Sequence, residues 1–273
     1  MTALSAPEIR RRKRASGAEA LVMITAYDEP GARLASAAGV DMILVGDTVS
    51  MVVLGHRDTL HVTVEEIAHH VRAVAAASPD AHIVGDLPWL SYHLDRADTV
   101  RNAATLIRAG AQSVKLEGGR SRVAMVRALI DAEIPVMGHI GLTPQSMLAM
   151  GGFKVQGKTR AAADLLVDDA VGLEEAGVFA VVVEGVPARV GRRVTEAILV
   201  PTIGIGAGAD TDGQVLVFHD LLGMSARTPP KFVRVYDQVG AAITDAIARY
   251  AKDVRSGAFP ADEETYPAPP ELE

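Results

Sequence analysis

Residues 43–56 read ILVGDTVSMVVLGH, an apolar run that reaches Gly46 and then meets the carboxylate of Asp47. A short run that is apolar at every position is typical of a parallel strand covered on both faces. A buried strand gains nothing from an acid at its tip unless something there needs a negative charge. The stretch therefore predicts a buried parallel strand that delivers Asp47 to a functional site.

Four further apolar runs end in the same way. They are HIVGD with Asp86, SVKLEGG with Lys115 and Glu117, IPVMGHIG with His139, and VVVEGVP with Glu184. A single acid after a strand is usually the N-cap of the next helix. Ionisable side chains at the ends of five successive strand-like runs instead indicate a shared site.

Strand-like runs alternate with amphipathic, helix-like segments along most of the chain. We predict strands at 21–25, 41–46, 81–86, 112–117, 134–139, 179–184, 201–205 and 214–218. Thr63 followed by Glu66 predicts a capping box, and Gly110 and Gly177 predict helix ends. This alternation predicts one (β/α)8 barrel domain over residues 1–273, whose active site lies at the C-terminal ends of the strands. We also expect an N-terminal helical segment to about residue 20 and a poorly structured acidic tail from about residue 259.

The composition excludes several classes of protein. The 273 residues are 49% hydrophobic, which is enough for one large core, and none is cysteine. Without cysteine there are no disulfides or thiolate metal sites, and a cytoplasmic location is favoured. The formal net charge of −7 argues against a nucleic-acid partner, and the basic cluster at 10–14 is interpreted as a solvated helix. No run of about 18 apolar residues is present that could span a membrane.

Several carboxylates in one barrel mouth repel each other unless a cation lies between them. Oxygen ligands without cysteine indicate Mg²⁺ or Mn²⁺ rather than zinc. Asp47 and Asp86, each beside a glycine, are the predicted direct ligands, and Glu117 is predicted to bind directly or through a water. The remaining coordination positions suit a 2-oxo acid, whose carboxylate and keto oxygen chelate a metal ion together.

The other ionisable side chains complete this hypothesis. Lys115 is predicted to supply a second positive charge near the substrate carboxylate. Glu184 comes from a strand farther round the barrel, so it is predicted to be a general base that does not bind the metal. His139 is expected to contact these groups without itself binding the metal or the substrate.

Two glycine-rich stretches carry weaker signals. GIGAGA at 204–209 matches a dinucleotide motif, but DTDGQ and another strand-like run follow it, so a tight turn is favoured. MGGFKVQGKT at 150–159 is consistent either with a loop that closes over the site or with an ordinary surface loop.

Ten motifs follow one another between about residues 9 and 260: TAYD, VGDTVSMVVLGH, VTVEEIAHH, GDLPW, NAATLIRAGAQSVKLEGG, PVMGHIGLTPQS, GGFKVQGK, VVVEGVP, IGIGAG and TDGQVLVFHD. In this order they resemble the ketopantoate hydroxymethyltransferase family. The resemblance implies a Mg²⁺-dependent (β/α)8 enzyme of pantothenate biosynthesis. Such an enzyme transfers a one-carbon unit from 5,10-methylenetetrahydrofolate to 3-methyl-2-oxobutanoate and forms 2-dehydropantoate.

The resemblance also implies a role for each matching residue. By motif, Asp47 and Asp86 match the family's metal- and substrate-binding aspartates, Lys115 its substrate-binding lysine, Glu117 its metal-associated glutamate and Glu184 its proton acceptor. The family usually has serine after its first aspartate. Thr48 keeps the hydroxyl at that substrate-binding position and adds a methyl group. A homodecamer built from two pentameric rings is a further implication.

Two other hypotheses stay open at this point. One is a Mg²⁺-dependent lyase or mutase that acts on 2-oxo acids and needs no folate, although such enzymes commonly use a cysteine that this chain lacks. The other is a barrel that binds a metabolite without catalysis, which the complete set of ionisable strand-end residues argues against.

Overall fold

A computed structural model describes residues 3–225, 227–269 and 271. Residues 1 and 2 of the predicted N-terminal segment, and residues 270, 272 and 273 of the predicted tail, lie outside the described residues. The chain divides into two compact units, one up to residue 218 and one from residue 219. This division by compactness does not test whether the chain is one domain, which stays a prediction.

Eight parallel strands close a barrel in chain order, each paired with the next and the last with the first. The strands are β1 Leu21–Thr25, β2 Met42–Val45, β3 His82–Asp86, β4 Ser113–Glu117, β5 Val136–Gly141, β6 Ala180–Glu184, β7 Thr202–Ile205 and β8 Gly213–Leu216. The predicted barrel fold is therefore confirmed.

Most predicted strand boundaries lie within one residue of the structure, and β5 differs most. It begins at Val136 rather than at residue 134, and it continues to Gly141, so His139 lies two residues inside its end. Pro135 lacks the N–H that a strand donates to its neighbour, which explains the later start. His139 was predicted at the tip of the strand, and this detail was wrong.

The helices lie between and after the strands. Within the described residues they are α1 Ala6–Arg10, α2 Glu29–Ala37, α3 Val49–Val52, α4 Val64–Ala76, α5 Arg96–Ala109, α6 Val123–Asp131, α7 Met147–Met150, α8 Arg160–Ala176, α9 Ala188–Ala197, α10 Phe218–Leu221 and α11 Val239–Ser256. Thr63 and Glu66 form the predicted capping box of α4. Gly110 and Gly177 end α5 and α8 in the left-handed conformation, as predicted.

Alternation along the strands sorts the core into two layers. Met42 and Leu44 of β2 pack inside the barrel, whereas Ile43 and Val45 pack outward with the surrounding helices. The N-terminal segment covers the end of the barrel at which the strands begin. The buried Ile9 of α1 belongs to the same hydrophobic cluster as the inward-facing strand residues, including Leu21 at the start of β1. One end of the barrel is thus packed shut, which leaves the opposite end for a site.

The chain passes from β7 to β8 through residues 206–212, which form no helix. The glycine-rich stretch at 204–209 therefore does not open a helix, as a dinucleotide site requires. Gly206 adopts a positive φ of 63° there, a conformation that glycine allows at no steric cost. The structure thus contains a seven-residue connection of bends here, and the predicted tight turn at 204–209 stays a prediction.

The second unit contains α11 and the acidic tail. The tail's described residues hold no element longer than the 3₁₀ turn Asp262–Glu264, in agreement with the predicted lack of regular structure. Across the described parts of both units, no helix combines the length and the apolar character that a bilayer crossing demands.

Candidate active site

Alternation along the strands also decides which functional side chains enter the barrel. Positions two apart in a strand point to the same face. Asp86 follows the inward Val84 at this spacing, and Lys115 and Glu117 share one face of β4. The same rule turns His139 and Glu184 inward from β5 and β6. Four neighbouring strands therefore place five ionisable side chains in one mouth.

Asp86 and Lys115 form a buried ion pair at the centre of this group. Lys115 Nζ lies 2.9 Å from Asp86 Oδ1, and both side chains are almost fully buried. Burial raises the pKa of Asp86, and the Lys115 ammonium offsets part of that rise. Burial also lowers the pKa of Lys115, but the surrounding carboxylates outweigh it and raise the pKa overall. The lysine therefore stays charged.

Asp47 approaches from the loop that follows β2. Its backbone N–H donates to Asp86 Oδ2 at 3.1 Å, and only 3% of the residue is exposed. Burial raises the pKa of Asp47 well above its usual range, and the Asp86 and Glu117 carboxylates raise it further. The next residue, Thr48, lines the same cavity and is the N-cap residue before α3. This corner of the site has an excess of negative charge.

His139 lies between the remaining two carboxylates. Its Nε2 lies 3.1 Å from Glu184 Oε2, and its Nδ1 lies 3.5 Å from Glu117 Oε1. Burial and the Lys115 ammonium lower the pKa of His139, but the carboxylates of Glu117 and Glu184 outweigh them and raise it to about 9. The ring therefore lies between the two glutamates, with Lys115 Nζ at 3.3 Å from its Nδ1, and the supporting role of His139 stays a prediction.

The cavity at this end of the barrel has two chemically different walls. Strands β2 to β6 provide the polar wall described above. The opposite wall is mostly apolar and is formed by Ile205, Val215, Leu216 and Val217 on the β7 and β8 side, with Thr25 of β1 beside them, while Leu44, Pro144 and Val182 complete the lining. A ligand here would meet charge on one side and hydrocarbon on the other.

The donor set fits a hard divalent cation held by few protein ligands. Glu117 Oε1 is buried and accepts no hydrogen bond from a described residue, because 3.5 Å to His139 Nδ1 is too long. No group of three or more histidine, aspartate or glutamate side chains in the described chain is already spaced to hold one ion. Mg²⁺ usually takes one or two protein carboxylates and keeps waters, so a site of two aspartates satisfies both observations.

Two residues of the site were missed by the sequence analysis. Gln145 is buried in the loop after β5, where its side chain donates to Asp47 Oδ2 at 3.0 Å and its backbone N–H donates to Glu117 Oε2 at 3.0 Å. The buried Tyr92 donates its hydroxyl to Gln145 Oε1 at 2.6 Å. Gln145 lies inside the motif PVMGHIGLTPQS and Tyr92 lies three residues after GDLPW, but nothing in their local spacing indicates these contacts.

Comparison with known proteins gives a consistent family. A family model described as ketopantoate hydroxymethyltransferase matches residues 4–262. A protein of Bradyrhizobium diazoefficiens named 3-methyl-2-oxobutanoate hydroxymethyltransferase 2 is 54% identical over 92% of this chain and 86% of its own length. A protein of Moorella thermoacetica named 3-methyl-2-oxobutanoate hydroxymethyltransferase is 53% identical over 91% of this chain and 93% of its own.

Solved structures with a similar fold are much more distant in sequence. A 2,3-dimethylmalate lyase aligns with a TM-score of 0.61 at 16% identity, covering 97% of this chain and 92% of that one. A phosphoenolpyruvate phosphomutase of Streptomyces platensis subsp. rosaceus aligns with a TM-score of 0.62 at 15% identity and the same coverage. Identity at this level supports the barrel fold alone.

Proposed function

The chain belongs to the ketopantoate hydroxymethyltransferase family, and from this premise we propose that it transfers a hydroxymethyl unit to 3-methyl-2-oxobutanoate. The donor in this proposal is 5,10-methylenetetrahydrofolate, water supplies the hydroxyl group, and the products are 2-dehydropantoate and tetrahydrofolate. The observation that carries the proposal is the buried cluster of Asp47, Asp86, Lys115 and Glu117 opposite an apolar wall.

Asp47 and Asp86 would hold a Mg²⁺ ion, with Glu117 bound to it directly or through a water. The excess negative charge around Asp47 supports this assignment, because burial and two carboxylates raise its pKa and a divalent ion would oppose that rise. When bound, the ion would polarise the keto oxygen of the 2-oxo acid and favour loss of a proton from the neighbouring carbon. The 3% exposure of Asp47 and 1% exposure of Asp86 keep bulk water away from these carboxylates.

The two walls of the cavity would orient the substrate. The positive charge of Lys115 would attract the substrate carboxylate, although the same ammonium also pairs with Asp86. Thr48 contributes a hydroxyl to the same wall. The isopropyl group of 3-methyl-2-oxobutanoate would lie against the apolar wall, where Ile205 and Val215 exclude water. This orientation places C3, the carbon that must lose its proton, between the two walls.

Glu184 would remove the C3 proton. It is the most exposed carboxylate of the group, and its Oε2 lies 3.1 Å from the Nε2 of His139. The contact with His139 orients the carboxylate for this role. In the balanced reaction, water adds to the methylene carbon of the folate and both of its carbon–nitrogen bonds break, which releases tetrahydrofolate and leaves a one-carbon unit at the formaldehyde level. The C3 carbon would then form its bond to this unit, and the oxygen that came from water would take up a proton to become the hydroxyl group.

A direct assay tests the proposed activity. Purified protein with Mg²⁺, 3-methyl-2-oxobutanoate and 5,10-methylenetetrahydrofolate is expected to release tetrahydrofolate and 2-dehydropantoate in equal amounts, measured by liquid chromatography with mass detection. Matched incubations lack the oxo acid, the folate or the metal. Cleavage of a 2-oxo acid in the incubation without folate would favour a lyase instead. A lack of turnover under every condition would support a binding protein.

We also propose that the enzyme is a cytoplasmic homo-oligomer. Helix α11 carries Ile243, Ile247, Tyr250 and Val254 at spacings of four, three and four residues, and each is exposed by 43% or more. Such spacing aligns the four side chains on one face, which is typical of a helix that packs against another surface. A decamer is the state that the family resemblance implies. The cysteine-free sequence is consistent with a reducing compartment.

Light scattering coupled to size-exclusion chromatography is expected to give a mass of several subunits, each of 28.7 kDa. Replacing Ile247 and Tyr250 with glutamate would place charge on the apolar stripe and should shift the protein to a smaller species. Glutamate at Ala248 and Arg249, which lie on other faces of the same helix, serves as the control. A monomeric wild-type protein would contradict the proposed assembly.

A further inference from the structure

Gln145 uses every hydrogen-bonding group of its amide side chain inside the site. The amide nitrogen donates to Asp47 Oδ2 at 3.0 Å and to the backbone oxygen of Leu87 at 3.0 Å. The amide oxygen accepts from the Tyr92 hydroxyl at 2.6 Å. A primary amide has two N–H donors, so both are committed and the side chain has one orientation.

The backbone of Gln145 holds the second carboxylate. Its N–H donates to Glu117 Oε2 at 3.0 Å, while the backbone N–H of Glu117 donates to the Tyr92 hydroxyl at 3.2 Å. Gln145, Tyr92 and Glu117 are therefore joined in a closed ring of hydrogen bonds. The residue is 4% exposed and Tyr92 is 1% exposed, so water does not compete for these bonds.

We propose that Gln145 is a positioning residue, which orients the carboxylates of Asp47 and Glu117 so that one oxygen of each remains for the ion and its ligands. The inference rests on the proposed Mg²⁺-dependent function. Asp47 Oδ2 is occupied by the amide, which leaves Oδ1, and Glu117 Oε2 is occupied by the backbone N–H, which leaves the unsatisfied Oε1. Tyr92 holds Gln145 in place and acts through it.

The two cationic side chains of the site, Lys115 and His139, do not orient the Asp47 carboxylate. Lys115 Nζ lies 2.9 Å from Asp86 Oδ1, and His139 lies between Glu117 and Glu184. The only hydrogen bond that the described residues donate to the side chain of Asp47 comes from Gln145. Without that amide the Asp47 carboxylate could rotate freely, and its affinity for the ion would fall because the ordering would have to occur on binding.

Gln145→Met is the sharpest test, because methionine has a similar length and shape but no donor for Asp47. Titration calorimetry with Mg²⁺ alone is expected to give a Kd about 10- to 100-fold higher than that of the wild type, the range seen when partners behind a metal ligand are removed. Turnover should recover towards the wild-type value when Mg²⁺ is raised, since the reacting groups are intact. Tyr92→Phe removes one oxygen and should shift the Kd in the same direction by a smaller factor.

Thr195→Val is the matched control. Thr195 is also buried, and its hydroxyl bonds the Thr202 hydroxyl at 2.7 Å at the outer face of the barrel. Its loss should lower the Tm and leave the Kd for Mg²⁺ unchanged. A lower Tm with an unchanged Kd in Gln145→Met would reduce its role to stability and overturn the proposal. If Gln145→Met does not fold, the Kd of Tyr92→Phe decides the question.

Two results for the wild-type protein distinguish a failure of the positioning role from a failure of the proposed reaction. A wild-type protein that binds Mg²⁺ but makes no 2-dehydropantoate would defeat the proposed reaction, and the Kd of the variants would still support or overturn the positioning role. A wild-type protein that binds no Mg²⁺ would overturn the positioning role together with the metal assignment.

Discussion

Replacing Asp86 with alanine is expected to abolish Mg²⁺-dependent turnover, with a loss of about 10³-fold or more, because the ion contributes several kcal/mol of charge stabilisation in such reactions. The substitution removes one of the two proposed direct ligands and the partner of the buried Lys115. The freed ammonium retains Asp47 and Glu117 as neighbouring charges, both of which raise its pKa in the intact site. We therefore expect the barrel to remain folded.

The measurement is the rate of tetrahydrofolate release as a function of Mg²⁺ concentration. Asp95→Asn is the matched control, since Asp95 also follows β3 but caps α5 by accepting from the N–H of Asp98 at 2.8 Å. Asparagine preserves that cap, so the control should keep full activity. Near-normal turnover of Asp86→Ala at low Mg²⁺ would show that the ligand assignment is wrong. Circular dichroism of both variants reports whether the fold survives.

Replacing Glu184 with glutamine is expected to lower turnover by roughly 10²-fold or more, the usual contribution of a general base. Glutamine retains the size of the side chain but cannot accept the C3 proton. Affinity for Mg²⁺ and for 3-methyl-2-oxobutanoate should largely survive, because Asp47, Asp86 and Lys115 are unchanged. Glu196→Gln, an exposed substitution on α9, is the control and should behave like the wild type. A mild effect on turnover with badly weakened substrate binding would instead indicate a binding role.

Hydrogen exchange isolates this proton transfer from the rest of the reaction. In D₂O with Mg²⁺ and 3-methyl-2-oxobutanoate, the wild-type protein should exchange the C3 hydrogen, and its NMR signal should fade without any folate. Exchange should stop with EDTA and in Glu184→Gln. A parallel sample contains tetrahydrofolate, which occupies the donor site but carries no one-carbon unit. If neither sample exchanges in a preparation that still makes product, proton removal waits for the donor and a stepwise mechanism is excluded.

The sequence predicted the barrel because its signals are local. Runs such as ILVGD and HIVGD are apolar at every position, and the capping box at Thr63 and the glycine after α5 need only a few neighbouring residues. The convergence of Asp86, Lys115, Glu117 and Glu184 follows from the same local information. Parallel strands end at one rim of a barrel, and residues two apart share a face. No long-range contact had to be known.

Other features depended on contacts between distant parts of the chain. Gln145 is 98 residues from Asp47 in sequence, and the turn that brings them together has no periodic pattern. His139 was predicted at a strand tip, but Pro135 delays the start of β5, and the register then places the ring between Glu117 and Glu184. Strand register and loop closure set these positions, and both are properties of the whole barrel.

By itself, the sequence determined the fold class, the end of the barrel that carries the site and the residue types that meet there, because backbone periodicity and the chemistry of strand ends are written within a few residues. Only the tertiary structure decided the partners: Lys115 pairs with Asp86, His139 lies between two glutamates and contacts Glu184, and Gln145 donates to Asp47. Electrostatic and hydrogen-bond energies change steeply over about an ångström. A choice among several nearby charges is therefore made by the packed three-dimensional geometry.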